Sequence, residues 1–294
     1  MNGFYECHGH IMMDGEDYKA AFAALAARGV SYFRDGGDAN GVTAEAKQYA
    51  KQHPELGIEY VTPVFAIHRK GRYGGIVGRA FETVKEFRSL VSEAAAKGAD
   101  FIKIMYSGIV TFKEFGELST PPLDAAEIKE LVNIAHGEGF AVMAHCNGSR
   151  TVMAAIEAGT DSIEHGVFMD DECIAALAQT RTLWVPTIAA IAAFSGRSGC
   201  GESLRYDGRP GFDLRITRRT VEAHMEAVAK AARFGEGQPD GADTVLIASG
   251  SDSGAFGVPH GPGTLTEYGL LRECGLPETR IAAANALLRE RFRR

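Results

Sequence analysis

Residues 125–165 have the sequence AAEIKELVNIAHGEGFAVMAHCNGSRTVMAAIEAGTDSIEH, and this stretch decides the fold class. It opens with apolar residues at the 3.6-residue spacing of a helix with one buried stripe, namely Ile128, Leu131, Val132 and Ala135. Gly139 and Gly159 each end a helical pattern shortly before a short apolar run. Because glycine at a helix C-terminus leads the chain back into a strand, the stretch predicts alternating helices and parallel strands.

The same alternation runs through the whole chain. Strand candidates, several of them apolar on both faces as buried parallel strands are, lie at residues 3–7, 31–35, 59–66, 101–106, 141–145, 162–164, 183–187 and 244–248. Helical patterns lie at residues 18–27, 43–51, 79–97, 125–136, 150–158, 171–179, 215–234, 265–274 and 278–291. Strand–helix units in this number predict an α/β protein, a (β/α)8 TIM barrel in a single domain over residues 1–294. An open doubly wound sheet is the alternative.

The composition is typical of a globular protein. Of the 294 residues, 45% are hydrophobic and 23% are charged, and 31 basic against 38 acidic residues give a net charge of -7. This balance argues against a nucleic-acid-binding surface, which requires a basic face. Five cysteines without CxxC spacing predict free thiols. Neither a signal peptide nor an apolar run of roughly 20 residues is present, so we expect a cytoplasmic protein that acts on a small molecule away from membranes. Assembly into a homo-oligomer stays open.

Six polar residues lie at or near the C-terminal ends of five strand candidates, the face on which barrel enzymes place their chemistry. In an extended strand His8 and His10 point to the same side, so both imidazoles can reach one ion. Neutral imidazole is a common ligand of zinc and its first-row neighbours. Two incidental histidines at a polar strand end are the alternative. The full set is His8, His10, Lys103, His145, His165 and Asp252.

Lys103 lies among apolar neighbours in FIKIMYS, where a buried ammonium is costly. It is either ion-paired with a nearby carboxylate or has a lowered pKa. A neutral lysine amine can capture carbon dioxide and so become a carboxylate between two metals, or it can form an imine with a carbonyl substrate.

His145 and His165 each follow a short apolar run on successive strands. Either one alone suits a hydrogen-bonded core histidine, but two of them opposite an HxH pair indicate metal ligands. Asp252 lies in the small-residue loop IASGSDSG, where it could bind a metal and take a proton from the attacking water. Its alternative role is that of a helix N-cap.

These residues, in this order and on these strands, resemble the amidohydrolase superfamily. The resemblance spans nearly the whole chain, from ECHGHI at residues 6–11 to SGSDSG at residues 249–254. The phrases GADFIKIM, AHC, SIEHG and SGSDSG, followed by PHG, are most similar to the branch of prolidases and imidazolonepropionase-like enzymes. Lys103 favours the prolidase-like members, which carry a lysine on the fourth strand.

The resemblance implies a metal-dependent hydrolase with two divalent ions, zinc being the first choice. A metal-bound hydroxide would attack the scissile carbonyl, and Asp252 would pass the proton to the leaving amine. We expect the small β-sandwich domain of most relatives to be absent, and the loop at residues 68–75, HRKGRYGG, differs from the family's TGGHG-like run. The implied ligands are His8, His10 and Asp252 for one ion, His145 and His165 for the second, and carbamylated Lys103 as the bridge.

The sequence says less about the substrate. We expect cleavage of a C–N amide bond in a dipeptide or an N-acyl amino acid. Tyr106 and His260 would polarise or orient it, with core or loop packing as their alternative. Residues 189–213 are predicted to be an irregular lid or binding loop. Basic residues of this loop and of residues 68–75 either clamp a carboxylate or are merely solvated: Arg69, Lys70, Arg72, Arg197, Arg205 and Arg209.

Other functions stay open beside amide hydrolysis. The same metals suit a lactonase or phosphoesterase, because the metal site constrains the water more than the leaving group. A class I aldolase would use Lys103 as a Schiff base, and DFIKIMYSG is also similar to the strand-four sequence of those enzymes. The four histidines and Asp252 count against an aldolase, which does not need them. A barrel that keeps its ligands but serves in binding or assembly is the non-catalytic alternative.

Overall fold

The computed structural model describes residues 3–12, 17–197, 213–234 and 243–294. Within these ranges the strands are β1 (Phe4–Gly9), β2 (Val30–Asp35), β3 (Glu59–Val61), β4 (Ala66–Arg69), β5 (Gly78–Phe81), β6 (Ile102–Met105), β7 (Val142–Cys146), β8 (Ser162–His165), β9 (Leu183–Val185) and β10 (Leu246–Ile247). The helices are α1 (Tyr18–Ala27), α2 (Val42–Gln52), α3 (Val84–Ala96), α4 (Ala125–Gly137), α5 (Ser149–Ala158), α6 (Asp171–Ala178), α7 (Ile188–Ala192), α8 (Leu214–Arg233), α9 (Pro262–Glu273) and α10 (Glu278–Arg291). No described helix combines the length and the apolar character that crossing a membrane requires.

The strands pair in parallel throughout both described sheets. One sheet has the order β1-β2-β3 and the other the order β10-β9-β8-β7-β6-β4-β5. Backbone hydrogen bonds join the two: the Cys7 N–H donates to the Ser249 carbonyl over 2.9 Å, and the Asp100 N–H donates to the Thr62 carbonyl over 2.9 Å. The sheets therefore close into the predicted (β/α)8 barrel, in which β3 and β4 together occupy one strand position.

Side-chain caps set where several helices begin. Thr83 and Glu86 form a reciprocal capping box at the start of α3. Asp124 and Asp170 accept backbone N–H groups in the first turns of α4 and α6. Each cap satisfies a donor that has no partner within its own helix, which contributes about 1 kcal/mol. Short-range sequence thus determines these boundaries.

Three predicted elements differ from the structure. The strand candidate at residues 59–66 is interrupted because Val64 has φ 68°, and the chain resumes as β4. The helix candidate at residues 79–97 begins only at α3, because Gly78–Phe81 pairs with β4 as a strand. Gly78 permits this pairing, since a Cβ there would lie 2.3 Å from the Ala66 carbonyl oxygen. Residues 189–213 begin as helix α7 rather than as an irregular loop, and residues 198–212 lie outside the described ranges.

The barrel interior changes from apolar to polar along its axis. At the N-terminal ends of the strands, the Phe292 ring, just after α10, lies 5.3 Å from that of Phe101 in a fully buried apolar cluster. Above this apolar cluster the Arg34 guanidinium lies 4.3 Å over the Phe292 ring and 2.8 Å from a carboxylate oxygen of Glu164. This apolar cluster thus separates the lower end of the barrel from the polar side chains that lie above it.

Candidate metal centre

The C-terminal ends of β1, β6, β7 and β8 and the loop after β10 bring the predicted ligands together around one cavity of about 350 Å³. Ring centroids lie 4.9 Å apart for His8 and His165, 4.6 Å for His145 and His165, and 5.6 Å for His8 and His10. Asp252 Oδ1 lies 3.6 Å from Nε2 of both His8 and His10. His8, His165 and Asp252 present ligand atoms within 4.8 Å of one another, which is close enough for a shared ion.

One ring nitrogen of each histidine is held by a neighbouring oxygen. A carbonyl or carboxylate oxygen accepts a hydrogen bond, so the imidazole nitrogen facing it carries the proton and the other nitrogen keeps its lone pair. Such contacts orient metal-binding imidazoles, and the purely accepting oxygens that face His8 and His10 also select their tautomer. The contacts are His8 Nδ1 with Glu164 Oε2 at 2.6 Å, His10 Nδ1 with the Gly37 carbonyl at 3.1 Å, His145 Nε2 with the Gly108 carbonyl at 3.2 Å, and His165 Nδ1 with Thr187 Oγ1 at 2.7 Å.

The four imidazoles are neutral at physiological pH. Burial is the largest cause and nearby cationic groups add to it, lowering the pKa of His10 and His145 to about 3. The same causes hold the pKa of His8 and His165 well below the ordinary value. Because only a neutral imidazole can donate a lone pair to a metal, this environment suits ligands.

Two buried polar atoms at the centre have no hydrogen-bond partner among the described residues, His8 Nε2 and Asp252 Oδ1. They lie 3.6 Å apart, which is too far for a hydrogen bond. A buried polar atom without a partner costs about 1–3 kcal/mol, so such atoms call for a ligand. A divalent cation between an imidazole nitrogen and a carboxylate oxygen would satisfy both, and the donor set therefore fits a metal.

Backbone strain helps to aim two of these side chains. His165 has φ 67° and Asp252 has φ 62°, both in the left-handed region that non-glycine residues avoid. Side chains alternate along a strand, so His165 would face away from Glu164, which points into the barrel. The left-handed turn at His165 brings its ring back to the cavity. Strain of about 1–3 kcal/mol is thus concentrated at the candidate site.

Lys103 lies inside the barrel on β6 with 1% of its surface exposed. Burial lowers the pKa of its ammonium to about 8, although the charges of Glu164 and Asp252 oppose that shift. Among the described residues, no carboxylate forms an ion pair with its Nζ, so the ion-pair alternative has no support. The amine is therefore easily deprotonated and faces the same cavity as the histidines.

Sequence reasoning missed Glu164 and Arg34, which form the network beneath the ligands. The Glu164 carboxylate contacts both the His8 ring and the Arg34 guanidinium, and all three side chains are fully buried. Arg34 also donates to the carbonyl of Cys7 over 2.6 Å. A charged residue inside an apolar strand is the signal that singled out Lys103, and it is equally present in VSYFRD and SIEH.

Tyr106, predicted to orient the substrate, lies outside the cavity. Its hydroxyl contacts Thr160 Oγ1 at 3.3 Å, and its ring belongs to the core between barrel and helices, as Ile104 does. Strand alternation explains this placement, because Lys103 and Met105 face the cavity and their neighbours face the helices. Tyr106 therefore has the packing role that was its alternative.

Neither His260 nor any of the described basic loop residues lines the cavity. His260 Nε2 donates to the main-chain carbonyl of His10 over 3.0 Å, so it contacts the backbone of a predicted ligand. Arg72 is exposed. Arg205 and Arg209 lie outside the described residues. The other three basic residues form ion pairs with acidic residues that do not line the cavity: Arg69 with Glu127, Lys70 with Glu82, and Arg197 with Glu273.

Tyr73, from the loop at residues 68–75, does line the cavity. Its ring centroid lies 5.0 Å from that of His145. Burial, with a contribution from the Asp252 charge, raises the pKa of its phenol to about 12. The hydroxyl therefore keeps its proton and can donate a hydrogen bond to a bound molecule.

Comparison with known proteins agrees with this geometry. Ochratoxinase from Aspergillus niger is 28% identical to this chain over 208 residues, which are 69% of this chain and 38% of ochratoxinase. The chain thus matches well under half the length of this curated relative.

Solved structures share the fold. A Xaa-Pro dipeptidase with methionine bound in its active site superposes with a TM-score of 0.74 at 22% identity, covering 98% of this chain and 75% of that one. The A. niger ochratoxinase structure has a TM-score of 0.73 at 22% identity, over 100% and 72% of the two chains. A prolidase complexed with N-methylphosphonate-L-proline has a TM-score of 0.67 at 20% identity, over 99% and 74%. The sequence profile of the amidohydrolase family matches residues 1–234. The chain therefore belongs to the amidohydrolase family.

Proposed function

We propose that this protein is a metal-dependent hydrolase that cleaves the C–N amide bond of a dipeptide or an N-acyl amino acid. The observation that carries the proposal is the pair of buried, unpartnered atoms His8 Nε2 and Asp252 Oδ1 among neutral imidazoles in one cavity. Family membership supports hydrolysis, and the prolidases and ochratoxinase among the similar proteins favour amide substrates.

Two divalent ions, zinc being the first choice, would occupy the centre. Bound there, they would lower the pKa of water and polarise the substrate carbonyl. The buried Lys103 ammonium, with its lowered pKa, would lose one proton to become an amine. Addition of carbon dioxide at Nζ with loss of a second proton from that nitrogen would then give a carbamate, whose negative charge suits a cation. The holders would be His8, His10 and Asp252 for one ion, His145 and His165 for the other, and Lys103 for both.

Asp252 would move the proton in this reaction. Burial raises the pKa of its carboxyl to about 7, against the opposing Lys103 charge. Such a group can take the proton that the attacking water loses and give it to the leaving nitrogen within one turnover. Glu164 would hold the His8 ring, and His260 would act through the main chain of His10.

Tyr73 would take the orienting role that sequence reasoning gave to Tyr106. Its protonated hydroxyl would donate a hydrogen bond to a substrate oxygen, which contributes about 1 kcal/mol or more in a site with little water. We expect Tyr73→Phe to lower kcat/KM by roughly tenfold, and Tyr106→Phe to leave it nearly unchanged. Equal effects of the two substitutions on kcat/KM would refute this assignment.

Metal content and turnover test the whole proposal. Protein expressed with bicarbonate and divalent metal should contain about two ions per chain. Lys103→Ala should lower that content, and His145→Ala or His165→Ala should remove metal and activity together. About one ion per chain would indicate a mononuclear enzyme, and no bound metal would refute the hydrolase. Full metal without turnover on amides, esters and lactones would favour the non-catalytic alternative.

The same preparation separates the remaining alternatives. Lactone or phosphoester turnover that exceeds amide turnover would reassign the substrate class while keeping the metal centre. Borohydride trapping of a carbonyl compound on Lys103 would indicate the aldolase. The single domain over residues 1–294 is tested by limited proteolysis, which should leave one metal-binding fragment.

A further inference from the structure

Three aromatic rings from separate parts of the chain lie side by side along the cavity. The Phe112 and Phe194 centroids are 5.4 Å apart, and the Phe194 and Phe256 centroids are 6.2 Å apart. They come from the loop after β6, the turn after α7 and the loop after β10. All three line the cavity that Lys103 and His145 also line. We call Phe112, Phe194 and Phe256 the aromatic wall.

The mouth of the cavity is apolar as well. Ile76 is 69% exposed, Ile109 is 43% exposed and Phe256 is 51% exposed, and all three line the cavity. Large apolar side chains gathered at one opening are uncommon on a soluble surface unless something apolar covers them. Their continuity with the metal centre indicates that the occupant is part of the molecule being cleaved.

Charged side chains are confined to the floor of this cavity. Among the described residues that line it, Lys103 and Asp252 are the ones with a formal charge, and both belong to the candidate metal centre. The walls therefore provide dispersion and apolar burial rather than ion pairing. A charged group placed against them would lose its hydration without gaining an ion-pair partner among the described lining residues.

The backbone conformation of Phe112 helps to position the first ring of the aromatic wall. Phe112 has φ 57°, in the left-handed region, and its carbonyl accepts the Asp213 N–H over 3.2 Å, where α8 begins. An aromatic residue rarely adopts this conformation unless its surroundings impose it. The ring is thus positioned by the fold and not only by its own loop.

We propose that the aromatic wall is a subsite for an aryl or long alkyl group attached to the scissile amide. The proposal rests on the proposed function for the position of that amide, which lies over the metal centre. It narrows the substrate class to amides with one large apolar substituent. Small polar dipeptides would gain no apolar contact from the wall and would be poor substrates.

Binding of straight-chain carboxylates to the metal-loaded protein tests the wall without turnover. Acids from propionate to decanoate are titrated by calorimetry. Each buried methylene contributes about 0.8 kcal/mol, so Kd should fall roughly fourfold per carbon until the wall is covered. Phe256→Ala and Phe194→Ala should flatten this gradient. Phe4→Ala, which removes a ring that is 38% exposed at the opposite end of the barrel, should preserve it.

The possible results separate the wall from the proposed function. A flat series in the unaltered protein, or a gradient that survives Phe256→Ala as it does Phe4→Ala, would overturn the subsite. A gradient without cleavage of any amide would refute the proposed function and leave the subsite standing. N-acylglycines of rising acyl length and N-acetyl amino acids of rising side-chain size then show which side of the amide occupies the wall.

Discussion

Glu164→Gln tests the network beneath the metal centre. The substitution keeps the size of the side chain and removes the charge that faces Arg34 Nη2 at 2.8 Å and His8 Nδ1 at 2.6 Å. All three side chains are fully buried, so the Arg34 guanidinium would lose its counter-charge without gaining water. Removing one charge of a buried ion pair leaves the other charge uncompensated, which lowers the unfolding free energy by about 3–5 kcal/mol. Because His8 also loses its carboxylate partner, metal affinity should fall about 10- to 100-fold.

Urea unfolding of the metal-free protein and metal titration measure the two effects separately. Glu278→Gln is the control, because its ion pair with Arg272 is exposed and screened by solvent, and it should change stability far less. Adding Arg34→Met to Glu164→Gln removes the stranded charge and should recover part of the stability. Metal affinity should stay low in the double variant. A Glu164→Gln protein within 1 kcal/mol of the unaltered one, roughly the scale of a surface pair, would refute the reasoning.

Three further predictions concern backbone, pH and metal. Gly254→Ala should abolish metal binding, because the new Cβ would lie 1.9 Å from the His10 carbonyl oxygen. Gly29→Ala is the control: Gly29 has φ +72° and open space around it, so the substitution should lower stability without affecting metal binding. Equal metal content in the two variants would contradict this prediction. Burial raises the pKa of Glu267 to about 8, so the folded state retains a proton that the unfolded state releases from about pH 4.5 upward. Unfolding free energy should therefore fall between pH 5 and pH 8, and a fall equally steep in Glu267→Gln would rule out this source. Chelation should lower the unfolding free energy by about 2.7 kcal/mol relative to protein held at a metal concentration 100-fold above Kd, and unchanged stability would show that metal does not bind the native state.

Local patterns determined much of the fold. The helix at Tyr18–Ala27 and the last helix at Glu278–Arg291 have the predicted bounds, because apolar spacing and end signals act within a few residues. Interruptions such as the one at Val64 were missed. The Val64 carbonyl accepts the Asp38 N–H and the Thr43 hydroxyl, contacts with a segment more than 20 residues earlier in the chain.

The gathering of the predicted ligands at one end of the barrel could be anticipated because barrel topology converts position along the chain into position in space. His8 and Asp252 are far apart in sequence, yet parallel strands place their C-terminal ends at one rim. Tyr106 shows the limit of that reasoning. It lies at the C-terminal end of a strand, as the predicted ligands do, but at a position that alternates with Lys103 and Met105. Its side chain therefore faces the helices and not the cavity.

The sequence by itself determined the fold class, the family and the residues gathered at the barrel rim, because these follow from periodicity and order along the chain. Only the tertiary structure decided which oxygen contacts a ring nitrogen of His8, that Glu164 also pairs with Arg34, and that Phe112, Phe194 and Phe256 share one wall. These facts depend on distances between side chains from different strands and loops. Packing sets such distances, and no short-range pattern encodes them.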